Sequence, residues 1–335
     1  MSTQAEQAGL EHGGDVAELT YRDAVNAALF DEMTADATIY FMGEDVGTAG
    51  GVFKTNDGLA EAFPGRVINT PICENAFIGV ALGMAVTGLR PVVEIMFSDF
   101  LPTAGDALVN EVPKFRYMSG GQCEVPLTIR SIGGGTGRFG TQHSATGESW
   151  FLQLPGLYVG TAGSPGAAYE VLRAAIRDRN PVLFFEHKGL YGRKGPVRRG
   201  SVGELGKAEV VREGSDLTIL TTLLMTERSL AAARELSEEG IDAEVIDMRW
   251  LRPLDLDTVR ASLDKTGRLL IVEEQVHAAS WGATVISRLT MEGRDWAHPP
   301  QALSLSDELL IPYSPPLEDE SIPGAEAIAA RVRGL

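Results

Sequence analysis

The sequence predicts an α/β protein of two doubly wound domains. Short, nearly continuous apolar runs alternate with segments at helical spacing, the pattern of a mostly parallel sheet covered on both faces. The alternation is broken once, by the basic, Gly-rich stretch "KGLYGRKGPVRRGSVGELG" at 188–206, and then resumes. With 335 residues, 44% of them hydrophobic and 22% charged, the chain is long enough for two cores.

The elements follow in order. Residues 1–19 carry four acidic residues, no Lys or Arg and scattered Gly, and are expected to form a flexible acidic tail. From Thr20, "TYRDAVNAALFDEMTAD" opens with a Thr cap and continues at helical spacing, and "ATIYFMGED" reads as a buried strand ending in a turn. Further strands are expected at 66–69, 91–97, 125–132, 157–162 and 181–187, with helices near 75–87, 101–118 and 166–179. This gives a first domain over 20–190 and a linker at 191–206, where composition suits an exposed connection better than a strand. In the second domain, 207–335, strands "LTILTT", "AEVIDMRW" and "RLLIVEE" alternate with helices at 226–239, 255–263 and 279–291.

Composition excludes several functions. A net charge of −17 does not suit a nucleic-acid or anionic membrane surface, which is bound through clustered Lys and Arg. No apolar run approaches the roughly 18 residues of a membrane span, and no basic segment followed by an apolar one marks an export signal. The two cysteines, Cys73 and Cys123, lack metal-site spacing and read as reduced thiols of a cytoplasmic protein.

Three features could carry chemistry. "GTGRFG" at 135–140 has the spacing of a dinucleotide loop, but it runs into "TQHSATGESW" instead of opening a helix, which argues against a nicotinamide site. The same loop delivers His143, and composition leaves open a surface residue or a substrate-facing proton donor. In "TPICENAFIGVALGMAVTG", Glu74 sits in the first turn of an apolar helix with Gly79, Gly83 and Gly88 along it. That Glu is either a routine partner of the helix dipole or a buried carboxylate poised to handle protons.

The stretches "GEDVG" (43–47), "GGVFKTNDGL" (50–59), "RVINTPICENAFIGVALGMAVTGLRPVVEIMFSDF" (66–100), "KFRYMSGGQ" (114–122), "VPLTIR" (125–130), "QHS" (142–144), "LPGLYV" (154–159) and "AAIRDRNPVLFFE" (174–186) resemble one family. It is the beta subunit of the thiamine diphosphate-dependent 2-oxoacid dehydrogenase decarboxylating component, of the pyruvate, acetoin and branched-chain types. "KAEVVREGSDLTIL" and "DMRWLRPLDLDTV" resemble its second domain. The resemblance implies a thiamine-pyrimidine-binding domain followed by a transketolase C-terminal-type domain. It implies that Glu74 meets a ring nitrogen of the cofactor's aminopyrimidine, that Phe100 stacks on that ring, and that His143 meets the substrate and assists acyl transfer to lipoamide. Leu127, Ala175, Asp178 and Asn180 match positions that hold potassium in some members.

No Gly-Asp-Gly, the start of the segment that grips the diphosphate through a divalent metal, occurs in the sequence. The resemblance therefore implies an alpha subunit that supplies this half and most of the magnesium ligation, in an α2β2 assembly with the cofactor between chains. It further implies a lipoyl-bearing dihydrolipoyl acyltransferase as acceptor and a 2-oxoacid as substrate. The alternative is one subunit of a two-chain transketolase-like enzyme that transfers a ketol unit with no lipoyl partner. Ala145 follows "QHS" where many members have Gln, so the choice of substrate is left open.

Overall fold

The computed structural model describes residues 15–47 and 50–335. The first domain contains β1 Val16–Thr20, α1 Tyr21–Ala35, β2 Ile39–Gly43, α2 Leu59–Ala62, β3 Val67–Asn69, α3 Glu74–Val86, β4 Arg90–Ile95, α4 Phe115–Met118, β5 Thr128–Gly133, β6 Tyr158–Thr161, α5 Pro165–Arg177, β7 Val182–His187 and β8 Lys194–Arg198. The second contains β9 Glu209–Arg212, β10 Leu217–Thr221, α6 Leu224–Glu238, β11 Ala243–Asp247, β12 Trp250–Arg252, α7 Leu256–Thr266, β13 Leu269–Val276, α8 Trp281–Met291, β14 Gln301–Leu305, α9 Pro315–Ser321 and α10 Ala325–Arg333. Helix starts are set locally. The Thr20 side chain accepts from the Asp23 N–H, and Ser164, Asp255 and Ser280 cap α5, α7 and α8 in the same way.

The main sheet has the order β12-β6-β7-β5-β4-β2-β3, and its strands β2 to β7 are all parallel. The second sheet runs β14-β13-β10-β11-β9, with only β9 antiparallel. Both sheets are flanked by helices and their central strands are buried, as near-continuous apolar runs require.

Four expectations are corrected. The expected tail extends to residue 19, but 16–20 form β1, which pairs antiparallel with β8 inside the expected linker; residues 1–14 lie outside the described residues. The basic stretch hides a strand whose Gly195 and Val197 point inward while Lys194, Pro196 and Arg198 face solvent, a period of two masked by charge. The expected helix over 101–118 is instead a 3-10 turn at Ser98–Ala104, a π turn at Ala107–Glu111 and α4. Pro102 and Pro113 each remove a backbone donor there. Finally, "AEVIDMRW" is two strands. After β11 the chain turns at Arg249, at φ 50°, and β12 joins the edge of the first domain's sheet, where buried Trp250 lies opposite Gly160.

An ion triad crosses the middle of the main sheet. Arg130 of β5 donates from Nε and Nη2 to Glu186 of β7 at 2.7 and 3.0 Å, and from Nη1 to Glu94 of β4 at 2.8 Å. All three are buried, and the Tyr191 and Thr55 hydroxyls donate to Glu186 Oε2 and Glu94 Oε2 at 2.9 and 3.1 Å, oxygens that also accept from Arg130. Burial pushes the Glu94 carboxyl up even with Arg130 beside it. Arg130→Met should therefore cost about 3–5 kcal/mol in urea unfolding, because it leaves two buried carboxylates without their cation. The deficit should shrink on acidification, as those carboxyls take up protons; an unchanged midpoint would show the triad to be dispensable.

The domains meet along a polar seam. Gln275, at the end of β13, donates from Nε2 to Glu148 and to the Thr146 carbonyl at 3.1 Å. Burial pushes the Glu148 carboxyl up to about 8, so it is protonated near neutrality. A carboxyl whose folded pKa lies above its unfolded value stabilises fully below the unfolded value and loses that contribution as pH rises through the folded one. The Tm of the wild type should then fall relative to Glu148→Gln between about pH 4.5 and about pH 8 and stay level beyond. A pH-independent difference between the two melting curves would refute this.

Candidate functional site

Parallel strands place the loops at their C-terminal ends on one edge of the sheet. Glu44 follows β2, Glu74 follows β3, Phe97 and Phe100 follow β4, His143 follows β5, and Lys188 follows β7. The structure brings Phe100 and His143 together, with ring centroids 5.5 Å apart in an edge-to-face arrangement. Phe97, given in the sequence only as the end of the expected strand at 91–97, lies closer still, 4.7 Å from the His143 ring and 5.5 Å from Phe100. Glu74 starts α3, which packs against the 3-10 turn that carries Phe100.

Glu74 is half-buried in this chain, between the exposed first-turn acid and the buried carboxylate that the sequence leaves open. The reason is that α3 buries only one face, through Phe77, Ile78, Ala81, Leu82 and Ala85. Ala76, Gly79, Val80 and Gly83 are exposed, and a Cβ on either glycine would meet nothing within 4 Å. Any drier setting for Glu74 must come from a surface laid over this face.

Beside Glu74 stands an acid that sequence reading quoted only within "GEDVG". Glu44 is buried, and its Oε1 has no hydrogen-bond partner among the described residues. Its carboxyl is pushed up first by burial, then by Glu74 and Asp45. The Thr70 hydroxyl, just after β3, also lacks a partner. Two neighbouring carboxylates and an orphaned buried oxygen form an acceptor set that fits a planar, nitrogen-bearing ring able to donate, as an aminopyrimidine is.

His143 rides on a loop over 134–147 held by both domains. In the second, Glu274 accepts from the Gly135 N–H at 2.5 Å, and its backbone carbonyl accepts from the Thr146 hydroxyl. The Ile311 carbonyl accepts from Thr141 at 3.1 Å. Arg138, within the same loop, is tied to α9. It donates to Glu318 at 2.5 Å, to Asp319 at 2.8 and 2.9 Å and to the Pro315 carbonyl at 3.0 Å. Gly140 sits at φ 73°, and a Cβ there would lie 2.3 Å from the Tyr313 ring. The "GTGRFG" stretch leads into a 3-10 turn at Thr141–His143 and not into a helix, so it has no dinucleotide geometry.

In the first domain, the Asp99 carboxylate accepts from the Ala145 N–H at 3.1 Å, and burial pushes that carboxyl up. His187 hydrogen-bonds Glu274 at 2.9 Å across the seam. Burial raises the Glu274 carboxyl, but His187 and the Gly135 N–H outweigh it and hold the group below its ordinary value.

Leu127, Ala175, Asp178 and Asn180 lie at the opposite, N-terminal end of β5 and β7, away from Glu74. Their oxygens have partners within the chain. The Leu127 and Ala175 carbonyls accept from the Val182 and Asp178 N–H groups at 2.9 and 3.3 Å, Asp178 Oδ1 accepts from the Asn180 N–H at 2.7 Å, and Asn180 accepts from Arg116 at 2.5 Å. Arg90 donates to the Ile176 and Asp178 carbonyls at 2.6 Å each. A cleft of about 220 Å³ at that end, lined by Thr38, Arg90, Gln122 and Cys123 among others, contains none of the site residues on the Glu74 edge.

Comparison with known proteins agrees with this geometry. Residues 17–194 match the pyrimidine-binding domain of transketolase, and 206–328 match the transketolase C-terminal domain. The chain is 38% identical to the beta subunit of acetoin:2,6-dichlorophenolindophenol oxidoreductase of Cupriavidus necator, covering 94% of this chain and 97% of that one. It is 40% identical to a mitochondrial pyruvate dehydrogenase E1 component subunit beta-1 of Arabidopsis thaliana, covering 93% and 87%. It is 37% identical to the pyruvate dehydrogenase E1 component subunit beta of Rhizobium meliloti, covering 96% and 71%. Among solved structures, an inactive beta4 tetramer of a split-gene transketolase superposes with a TM-score of 0.78 at 24% identity, covering 94% of this chain and 98% of that one, a likeness of fold. The chain belongs to the family of beta subunits of the thiamine diphosphate-dependent 2-oxoacid dehydrogenase decarboxylating component, a transketolase-like enzyme subunit.

Proposed function

We propose that this chain provides the pyrimidine half of a thiamine diphosphate site that lies between it and an alpha subunit. The single observation that carries the proposal is the Glu44–Glu74 pair at the edge of the main sheet, with a carboxylate oxygen that has no partner, beside a helix face left uncovered, among the described residues. When bound, the cofactor supplies a carbanion and an electron sink for decarboxylation of a 2-oxoacid. Glu74 accepts from, or shares a proton with, a ring nitrogen of the pyrimidine. Glu44 keeps a proton more readily than an isolated carboxyl because it is buried, and because Glu74 and Asp45 stand beside it. Phe100 offers an apolar face to the ring, and its edge contact with His143 orients the imidazole. His143, backed by Phe97, lies against the aromatic platform and serves the substrate and the acyl transfer.

An alpha chain would hold the diphosphate and its magnesium, since no Gly-Asp-Gly segment occurs here. The relatives named for pyruvate and acetoin support a small 2-oxo substrate, and the family resemblance supports a lipoyl-bearing acyltransferase as the acceptor of the acyl group. An α2β2 assembly at work in the cytoplasm completes the reading, in keeping with free cysteines and a net charge of −17. No helix among the described residues is long and apolar enough to cross a membrane. Potassium at the Asp178 end is a secondary proposal that rests on the family resemblance alone.

The test is reconstitution. The chain alone with thiamine diphosphate should show no decarboxylation of a 2-oxoacid panel, and activity should appear on adding the alpha chain. In that complex Glu74→Gln should lower turnover by roughly 100-fold or more while cofactor affinity changes less than about tenfold, because volume and one acceptor are kept and only the proton is lost. Robust turnover by the isolated chain, or wild-type turnover by Glu74→Gln, would overturn the proposal.

A further inference from the structure

One buried cation at this edge has no role in the mechanism above. Lys188 is 9% exposed, in the 3-10 turn that follows β7. No carboxylate lies within ion-pair distance of its Nζ among the described residues. Nζ donates instead to two backbone carbonyls of the loop opposite, those of Gly134 and, at 2.7 Å, His143. The rings of Phe97 and Phe139 lie over it, with centroids 6.0 and 5.6 Å away.

These two carbonyls belong to the opposite ends of one loop. The Gly134 N–H donates to the Ala145 carbonyl at 3.2 Å and forms the neck; Lys188 ties the carbonyl of Gly134 to that of His143 just inside it. The base of Lys188 is itself fixed, because the preceding His187 is hydrogen-bonded to Glu274 through Nε2 at 2.9 Å and accepts from the Gly189 N–H at Nδ1 at 3.0 Å. We propose that Lys188 is a positioning residue for His143, closing the 134–145 loop from beneath so that the imidazole stays against Phe97 and Phe100. The inference rests on the functional reading only in the use it gives His143; the loop closure itself is independent of it.

The electrostatics agree with a functional role. Burial pushes the Lys188 amine down to about 8, against the pull of Glu274 from β13, Asp99 from the turn after β4 and Glu318 from α9. His143 and His187 are the other titratable groups near it, and Arg138 is engaged by Glu318 and Asp319. A lysine whose folded pKa is lowered takes stability from the fold while charged, and the loss is relieved as pH rises from about 8 toward 10.5.

The test uses Lys188→Met and Lys188→Arg, in the full chain and in its complex with the alpha subunit. Amide exchange over 134–146, read by mass spectrometry, should rise about tenfold in Lys188→Met with β5 unchanged, and should return toward wild type in Lys188→Arg. In the complex, Lys188→Met should lose about 10- to 100-fold in kcat with KM altered less than threefold, since the imidazole is misplaced while the binding surface remains. The alkaline limb of the wild-type kcat profile should lie near 8 and move upward in Lys188→Arg. Melting temperatures should stay within a few degrees of wild type. Unchanged exchange in Lys188→Met would overturn the proposal, as would a collapse of Tm in both variants, which would make the residue merely structural. If exchange responds as expected but the wild-type complex decarboxylates no 2-oxoacid, the functional reading fails and the positioning role stands.

Discussion

The site depends on one carboxylate that is not in the domain bearing the site. Glu274, at the end of β13, receives the Gly135 N–H and hydrogen-bonds His187. The first contact fixes the start of the His143 loop; the second fixes the turn from which Lys188 rises. The buried group is held below its ordinary pKa by these two partners, so it remains a charged acceptor in a setting that would otherwise neutralise it. The second domain thus does more than enlarge the core. Through Glu274, the Arg138–Glu318–Asp319 cluster and the Thr141 contact to Ile311, it forms one wall of the loop that carries the imidazole.

A comparable division runs through the acid pair. Glu44 is buried by its own domain, while Glu74 is only half-buried and α3 leaves its small-residue face bare. A carboxylate open to water has little reason to hold a proton or to prefer a weakly basic ring nitrogen over solvent. Covering that face changes both, because exclusion of water strengthens the Glu44–Glu74 repulsion and every hydrogen bond nearby. The exposed glycines allow the cover to approach closely, so the chain's unfinished appearance and the proposed need for a second subunit have the same physical cause.

Beneath both lies the Glu94–Arg130–Glu186 triad, which links the three central strands whose ends carry Phe100, His143 and Lys188. An ion triad in a sheet interior is a poor source of net stability but a strict constraint on register, since a one-residue slip would separate the charges and send them to the other face. The register it favours is the one that brings the strand ends level at the candidate site.

Much of this was legible in the sequence. The strand and helix alternation, the Thr20 cap and the two domains follow from apolar period and local motif, which depend only on neighbouring residues; the grouping of Phe100 with His143 comes only from the family resemblance. Composition misled where a local pattern was overwritten: β8 was hidden by its Lys and Arg, and the helix expected at 101–118 was broken by Pro102 and Pro113. What no local pattern could give was any contact between residues distant along the chain. That Trp250 crosses to the other domain's sheet, that Arg138 belongs to α9, that Glu44 stands beside Glu74 and that Lys188 supports His143 are decided by packing. The sequence by itself determined which elements form and which residue types stand at their ends; only the tertiary structure decided which of those ends meet, because burial and pairing are properties of the assembled layers.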